Sequence, residues 1–289
     1  MKPIRKAVLP VAGLGTRVLP AAKTTPKNML NVVDRPILSY VVAEARAAGI
    51  EHLIFIVGRG QGAIEDYFDH NVELETQLAA KGKTELMAEM AGELGKPGEM
   101  SFVRQMQPLG LGHAVWCARD LIGDEPFAVM LPDMLMDATP PALVQAVQTY
   151  EKFGGNVIVV EPAPEGEAHK YGIVALSERD GRVGKMTGMV EKPPPGTEPS
   201  NLFISGRYIL QPEIFAALAA HEKGAGGEIQ LTDGIKALLK EEKVFGFTFE
   251  GKRFDAGDKF GMLQATVEFA LKRPEFGDKF REYLKGLEL

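Results

Sequence analysis

Short apolar runs alternate with longer amphipathic segments in the first half of the chain. Apolar runs typical of buried strands occur at 7–11, 53–57, 101–105, 127–131 and 157–160. Helical periodicity predicts helices at 37–48, at 113–121 and from the Pro140-Pro141 pair to Gly154. Strands that alternate with helices form sheets covered on both faces. The pattern therefore predicts an α/β protein, a Rossmann-like three-layer α/β/α domain with a mixed, mostly parallel central sheet.

The second half of the chain is richer in strands. Strands are predicted at 173–176, 183–190, 202–210 and 244–249, with Asp180-Gly181 as a hairpin turn. A helix at 231–241 and a helical tail at 259–272 and 276–287 follow. The polar segment 72–93 is predicted to be a helical insertion. We expect one continuous domain over 1–258, with halves at about 1–135 and 136–258, followed by a tail at 259–289.

Composition excludes several classes of function. The chain has 33 Lys and Arg against 39 Asp and Glu, a net charge of −6. An acidic chain without a basic block is a poor binder of nucleic acid or anionic membranes. Cys117 is the single cysteine, which excludes an internal disulfide and Cys-based zinc sites. The sequence has no run of about 18 apolar residues and no recognisable signal peptide, so the expected location is the cytoplasm.

The first candidate site is the segment AGLGTR at 12–17, directly after the first predicted strand. Glycines there allow a tight turn and close approach of a phosphate or a base. The dinucleotide fingerprint G-x-G-x-x-G fails because Val18 occupies its third glycine position, and a P-loop around Gly82 fails because Gln77 stands at its first glycine. A bare strand–helix turn is the alternative interpretation.

Three cations, Arg17, Lys23 and Lys27, follow the turn closely. Arg and Lys are the usual clamps of a triphosphate, although we expect Lys23 to be a solvated surface residue. Asp133 follows the strand at 127–131, and Asp255 follows the strand at 244–249. Two carboxylates at strand ends could hold Mg²⁺ together with substrate phosphates. Each aspartate alone could be a helix cap or a turn residue. A shared metal site would require the two carboxylates to lie next to each other in space.

Two other segments carry polar groups of interest. Glu191-Lys192-Pro193 ends a strand before a stiff proline loop and could anchor a sugar phosphate, with a surface charge pair as the alternative. A second Gly-rich turn, QPLGLGHA at 107–114, opens a helix. The amide of Gln107 could read a base edge there. His113 could meet an anion, or it could be a packing or capping residue.

These segments, in this order, resemble the sugar-nucleotide pyrophosphorylases over residues 5 to about 270. The matching segments are AGLGTR at 12–17, PKNML at 26–30, VVDRPILSYVVAEARAAGI at 32–50, QPLGLGHAV at 107–115, LPD at 131–133, KYGIV at 170–174, VEKP at 190–193, SGRYIL at 205–210, GEIQLTD at 227–233 and FDAGD at 254–258. Ala12-Gly13, the insertion at 72–93 and GEIQLTD resemble the bacterial uridylyltransferase branch more than the thymidylyltransferases. Asn28 departs from the Glu found in many relatives.

The resemblance implies an enzyme that makes UDP-glucose and pyrophosphate from UTP and glucose 1-phosphate, with Mg²⁺ as cofactor. The implied nucleotide-binding residues are Ala12, Gly13, Leu14, Gly15, Gln107 and Gly112. The implied catalytic residues are Arg17, Lys27 and Lys192, the sugar-phosphate residues are Gly172, Glu191 and Lys192, and the metal ligands are Asp133 and Asp255. The first half would bind the nucleotide and the second half the sugar phosphate. The family also implies a homodimer or homotetramer, with the tail as a possible contact.

Two alternatives stay open from the sequence. The same chemistry could act on another base or sugar, for example as a glucose-1-phosphate thymidylyltransferase. A non-catalytic regulatory relative would be expected to lose phosphate-handling residues, yet Arg17, Lys27, Asp133, Lys192 and Asp255 are all present.

Overall fold

The structure, a computed structural model, describes residues 1–288, without the side chain of Glu178. The strands are β1 (Lys6–Pro10), β2 (Asn31–Val32), β3 (Arg35–Pro36), β4 (His52–Val57), β5 (Met100–Arg104), β6 (Phe127–Met130), β7 (Met134–Asp137), β8 (Asn156–Pro162), β9 (Gly172–Asp180), β10 (Val183–Glu191), β11 (Leu202–Leu210), β12 (Val244–Phe247) and β13 (Lys252–Asp255). The helices are α1 (Ile37–Ala47), α2 (Gly62–Tyr67), α3 (Val72–Ala80), α4 (Thr84–Glu93), α5 (Leu111–Trp116), α6 (Arg119–Ile122), α7 (Ala142–Phe153), α8 (Ile214–Ala219), α9 (Leu231–Leu238), α10 (Lys259–Leu271) and α11 (Gly277–Lys285).

Nine of these strands form one mixed sheet in the order β5-β4-β1-β6-β11-β8-β12-β10-β9. The first four are mutually parallel, and β12 is parallel to β8. However, β11 is antiparallel to β6 and β8, and β10 is antiparallel to β12 and β9. Seven of the nine strands therefore point in one direction, with β11 and β10 reversed, which agrees with the expected mixed sheet. The predicted turn at Asp180-Gly181 joins β9 to β10 directly, and so short a connection permits only antiparallel pairing.

Two apolar clusters cover the two faces of this sheet. Leu9 belongs to one cluster and its neighbour Val8 to the other, because successive strand residues point to opposite faces. Helices α1 and α7 contribute to the cluster that contains Leu9, whereas α8 and α9 contribute to the cluster that contains Val8. Helices therefore lie on both faces, and the ends of the strands are left free to carry loops.

Several predicted elements differ in detail from the structure. The insertion forms two helices, α3 and α4, and neither contains a buried residue, which explains its polar composition. The helix predicted at 113–121 is two short helices, α5 and α6. In the tail, α10 packs on the domain through Ala265 and Phe269 while Phe260 and Leu263 are exposed. The final tail residue lies outside the described chain.

The short strand β13, which the sequence did not predict, positions one of the candidate site residues. It pairs antiparallel with β7, and the pairing sets Asp255 opposite Met134. Residue 255 is thereby placed beside the loop that follows β6. No helix within residues 1–288 has the length and apolarity needed to cross a membrane.

Candidate functional site

The Gly-rich loop after β1 forms the floor of the candidate site. Gly15 has a φ of 68°, the left-handed conformation that glycine adopts without a steric penalty. A Cβ on Gly15 would lie 2.8 Å from Cβ of Lys27 and 2.9 Å from Cβ of Ala22. Glycine at this position therefore lets the loop lie directly against the segment that carries Lys27.

Two open cavities, of about 300 and 350 Å³, flank the loop and share Ala12, Gly13 and Leu14. The remaining residues of the first cavity include Lys23, Thr24, Gly58, Gln61, Gln105 and Pro108. The second cavity adds Pro10, Thr16, Gly110, Leu111, Ala114 and Glu228. Both cavities therefore open where β1 and β5 end, and the first also reaches the end of β4. This is the edge at which ligands bind in open α/β sheets.

The amide side chain that lines both cavities is that of Gln105, two residues before the glutamine expected from the sequence. Gln105 is buried and lines both cavities, while Gln107 is exposed and is not among the lining residues described. Similarly, Gly110 lines the second cavity, whereas the backbone N–H of Gly112 donates to the carbonyl of Ile229 at 2.8 Å. Gly112 therefore serves the packing of α5 against the segment that precedes α9.

Two cationic and two carboxylate side chains form a cluster next to the Gly-rich loop. The Lys27 ammonium lies 2.5 Å from Oδ2 of Asp133, and Nη2 of Arg17 lies 3.6 Å from the same oxygen. Nη1 of Arg17 donates to Oδ2 of Asp255 at 3.0 Å. The structure thus brings together all four residues that the sequence predicted as phosphate clamps and metal ligands, although Arg17 and Asp255 are 238 positions apart.

Gly257 leaves open a small space between Arg17, Asp133 and Asp255 of this cluster. A Cβ at Gly257 would lie 2.5 Å from Nη2 of Arg17, 2.6 Å from Oδ2 of Asp133 and 2.9 Å from Oδ1 of Asp255. The backbone N–H of Gly257 also donates to Oδ1 of Asp255 at 2.9 Å. Any side chain at this position would fill the cradle between the two carboxylates.

The charge balance of the cluster favours ionised Asp133. Burial by itself would raise the pKa of this carboxyl, but the neighbouring cations Lys27 and Arg17 outweigh it and hold the pKa below its ordinary value of 3.8. In residues 1–288 no group of three or more His, Cys, Asp and Glu side chains is arranged to hold a metal ion. Any divalent cation here would therefore depend on the two carboxylates together with substrate oxygens.

The third group of predicted residues lies at the end of β10. Oε2 of Glu191 accepts a hydrogen bond from Oγ1 of Thr232 at 2.7 Å, and a Cβ on Gly172 would approach that same carboxylate oxygen to 3.0 Å. The Lys192 ammonium is half-exposed, 3.9 Å from Oε1 of Glu191. Lys192 has a φ of 46°, a left-handed conformation that is uncommon outside glycine, asparagine and aspartate.

Four residues that lie in the candidate site were not predicted from the sequence: Gln105, Gly110, Thr232 and Gly257. A usable signal existed for three of them, since Gly110, Thr232 and Gly257 stand inside the matching segments QPLGLGHAV, GEIQLTD and FDAGD. For Gln105 the local pattern offers no way to tell it from Gln107, because both amides lie near the end of one strand.

Comparison with known proteins identifies the family. The family model described as nucleotidyl transferase matches residues 6–270. A UTP–glucose-1-phosphate uridylyltransferase of Bacillus subtilis (strain 168) is 49% identical over 99% of this chain and 98% of its own length. A second enzyme of that name, from Staphylococcus saprophyticus, is 46% identical over all of both chains.

Solved structures agree with these relatives. The UTP-bound UGPase of Acinetobacter baumannii superposes with a TM-score of 0.92 at 42% identity, covering 99% of this chain and 100% of its own. A UDP-glucose pyrophosphorylase complexed with UDP-glucose gives 0.86 at 38% identity, covering 93% and 100%. The chain therefore belongs to the nucleotidyl transferase family and, within it, to the UTP–glucose-1-phosphate uridylyltransferases.

Proposed function

We propose that this chain joins UTP to glucose 1-phosphate, releasing UDP-glucose and pyrophosphate, by Mg²⁺-assisted in-line attack on the α-phosphorus of UTP. The observation that carries the proposal is the meeting of Arg17, Lys27, Asp133 and Asp255 around Gly257, beside a Gly-rich loop. Two cations suit a triphosphate, and two carboxylates suit a hard cation.

The two carboxylates fit a magnesium ion. Oδ2 of Asp133 and Oδ1 of Asp255 both face the space that a Cβ on Gly257 would fill. Mg²⁺ in such sites is held by one or two carboxylates, waters and substrate phosphates. When bound, the ion would neutralise charge on the phosphate oxygens.

In this proposal the ion pairs of the free site keep its charges compensated until the substrate binds. Lys27 and Arg17 compensate the two carboxylates before substrate arrives. On binding, both cations would turn toward the β- and γ-phosphates, and the carboxylates would face the metal ion instead. The exchange leaves no buried charge unpaired in either state, which matters because an unpaired buried charge costs several kcal/mol, on the order of 3–5.

The reaction needs no protein nucleophile. A phosphate oxygen of glucose 1-phosphate attacks the α-phosphorus of UTP, and the bond between that phosphorus and the bridging oxygen of pyrophosphate breaks. The bonding electron pair leaves with pyrophosphate, where Arg17 and Lys27 stabilise the growing negative charge. Lys192 holds the attacking phosphate, and Glu191, oriented by Thr232 beside Gly172, accepts hydrogen bonds from the sugar hydroxyls. Positioning two anions in line accounts for most of the catalysis.

The nucleotide would lie across Ala12, Gly13, Leu14 and Gly15. For the base we propose Gln105 and Gly110 in preference to the expected Gln107 and Gly112, because only the former pair lines the cavities. The sugar phosphate would then approach from the second half of the chain, 136–258.

Three further features belong to this proposal. The Rossmann-like, three-layer arrangement is supported by apolar clusters on both faces of the sheet. Exposed Phe260 and Leu263 on α10 support a homodimer or homotetramer, because large apolar side chains side by side on a surface favour a protein contact. The single cysteine fits work in the reducing cytoplasm.

The test is Mg²⁺-dependent release of pyrophosphate with glucose 1-phosphate and each of UTP, dTTP, GTP, CTP and ATP. We expect release mainly with UTP and none without the divalent ion. A preference for dTTP would move the assignment to the thymidylyltransferases. No release with any nucleotide, repeated with other sugar phosphates, would leave the regulatory relative as the better interpretation.

A further inference from the structure

The two cavities beside the Gly-rich loop carry opposite charges. The first cavity is lined by two cationic side chains, Lys23 and Arg59, and no carboxylate is among its lining residues. The second is lined by one carboxylate, that of Glu228, and no cation is among its lining residues. The chain as a whole has a net charge of −6. An anion that reaches the loop is therefore attracted toward the first cavity and repelled from the second.

Lys23 and Arg59 also have no ion partner in the protein. The two cations of the cluster beside the loop are neutralised by its two carboxylates. By contrast, the side chains of Lys23 and Arg59 are exposed. Within residues 1–288, the side chain of Glu178 aside, no carboxylate is paired with either of them. Their positive charge is therefore free to act on a ligand.

The backbone fixes the positions of both cations beside the first cavity. Arg59 lies in the loop after β4, which the side chain of Gln61 ties to the end of β1. Oε1 of Gln61 accepts from the backbone N–H of Gly58 at 2.7 Å, and its Nε2 donates to the carbonyl of Val11 at 2.9 Å. Lys23 ends a short 3₁₀ helix that begins at residue 21. The two charges thus belong to two different loops that border one cavity.

The first cavity extends to the ammonium group of Lys27. Gly13 lines this cavity, and a Cβ on Gly13 would lie 3.4 Å from Cε and 3.7 Å from Nζ of Lys27. Pro26, the residue before Lys27, lines the cavity as well. In the proposed reaction Lys27 stabilises the pyrophosphate as it forms, so this product is released at the border of the first cavity. The next cations that it meets there are the two unpaired ones.

We propose that Lys23 and Arg59 form the route by which pyrophosphate leaves and enters the site. The inference rests on the proposed function, because it takes pyrophosphate as the released product. Gly110, one of the two residues proposed for the base, lines only the second cavity, and the sugar phosphate would approach from 136–258. The first cavity is then left for the small polyanion. Unpaired exposed cations speed the encounter with an anion, and salt screens this effect.

The main experiment measures the reverse reaction, in which pyrophosphate converts UDP-glucose to UTP and glucose 1-phosphate. The double variant Lys23→Gln with Arg59→Gln should lower kcat/KM for pyrophosphate about tenfold at low ionic strength. The difference from wild type should shrink as salt is added. The kcat at saturating pyrophosphate should stay close to the wild-type value, because the cluster beside the loop is unaltered. The kcat/KM for UDP-glucose should change much less, because its diphosphate carries less charge than pyrophosphate and its base would enter the second cavity.

Two further double variants serve as controls. Lys23→Arg with Arg59→Lys keeps both charges and should retain the wild-type kcat/KM for pyrophosphate. Arg179→Gln with Lys185→Gln removes one exposed arginine from β9 and one exposed lysine from β10, at the opposite edge of the sheet from β5. The total charge changes by the same amount as in the test variant, yet kcat/KM for pyrophosphate should stay unchanged.

The possible results separate this inference from the proposed function. If wild type forms UTP from UDP-glucose and pyrophosphate, but loss of both charges leaves kcat/KM for pyrophosphate unchanged, the route is wrong and the proposed function stands. A fall in kcat as large as the fall in kcat/KM would also overturn the route, because the two cations would then act on the chemical step. An equal loss of kcat/KM for UDP-glucose would show a general effect of charge and overturn it as well. If wild type forms no UTP, the proposed function itself fails.

Discussion

Arg207 and Glu44 form an ion pair in the interior of the molecule, although 163 positions separate them in the chain. Nη2 of Arg207 lies 2.7 Å from Oε2 of Glu44, and the Arg207 side chain is fully buried. The same guanidinium donates to the carbonyls of Leu131 at 3.0 Å and Met134 at 2.8 Å. Those carbonyls bracket Asp133, so this pair ties α1 to the loop that carries a candidate metal ligand.

We therefore expect Arg207→Met to lower the free energy of unfolding by about 3–5 kcal/mol, because it leaves the Glu44 carboxylate buried without its cation, with only the backbone N–H of Leu143 still donating to it. Urea unfolding at pH 7 measures the change. The double variant Arg207→Met with Glu44→Met should lose much less, since removing both charges removes the unpaired one. A loss below about 1 kcal/mol in the single variant would show that water reaches Glu44.

The candidate metal site predicts a specific defect. Asp133→Asn and Asp255→Asn should each raise the Mg²⁺ concentration for half-maximal pyrophosphate release on the order of tenfold or more. Circular dichroism should show an unchanged fold. Asp120→Asn, on the exposed face of α6, is the control for a lost surface carboxylate. Unchanged Mg²⁺ saturation in either site variant would rule out that residue as a ligand.

We expect any side chain at position 257 to lower the activity of the enzyme. Gly257→Ala would set a methyl group 2.6 Å from Oδ2 of Asp133 and 2.5 Å from Nη2 of Arg17, so the charged groups must move apart. We expect kcat/KM to fall on the order of 10²-fold, as for about 1 Å of misplacement, with little change in melting temperature. Gly92→Ala in α4 has open space around its Cβ. This control should keep full activity and gain up to about 1 kcal/mol of stability.

Lys192 should act mainly on the sugar phosphate. Lys192→Ala is expected to lower kcat/KM for glucose 1-phosphate on the order of 10²-fold or more, because a charged anchor of the attacking group is lost. Steady-state kinetics with each substrate varied in turn give the answer. Lys185→Ala removes an exposed lysine from β10, the strand that Lys192 follows, and should change nothing. Wild-type kinetics in Lys192→Ala would remove Lys192 from the site.

The pair of Glu99 with Arg46 predicts pH-dependent stability. Burial would raise the pKa of Glu99, but its bidentate partner Arg46, at 2.8 and 2.9 Å, and the backbone N–H of Lys96 hold the pKa below its ordinary value of 4.5. A lowered folded-state pKa stabilises the protein above the ordinary pKa, and this contribution disappears as pH falls through the folded value.

Glu99→Gln should therefore lower the free energy of unfolding at pH 7 by about 1–3 kcal/mol. The difference from wild type should shrink as pH falls below 4.5. Urea unfolding at several pH values between 7 and 3 tests both points. Exposed Glu73→Gln should track the wild type at every pH. A difference from wild type that stayed constant down to pH 3 would mean that Glu99 titrates normally.

Local sequence determined most of the elements and much of the site. The apolar runs that predicted strands are strands β1, β4, β5, β6 and β8 within one or two residues, because burial of a short run needs only its own side chains and those of its neighbours. Segments such as AGLGTR and FDAGD named Arg17 and Asp255 without any knowledge of their distance. The charge types alone were enough to predict binding of anions and a cation.

Tertiary structure alone decided how these parts meet. The β7–β13 ladder brings Asp255 to Asp133, and pairing between distant strands leaves no trace in the composition of either. The proposal of Gln105 in place of Gln107 comes from the path of the chain after β5, which buries Gln105 beside Gly110 and His113 and leaves Gln107 exposed. A strand presents the same apolar run to the core whether its neighbour is parallel or antiparallel, so the run does not reveal the direction of pairing. The local pattern of apolar residues determines which face of a strand is buried. Which distant strand pairs with it is determined only when the whole sheet packs against its core.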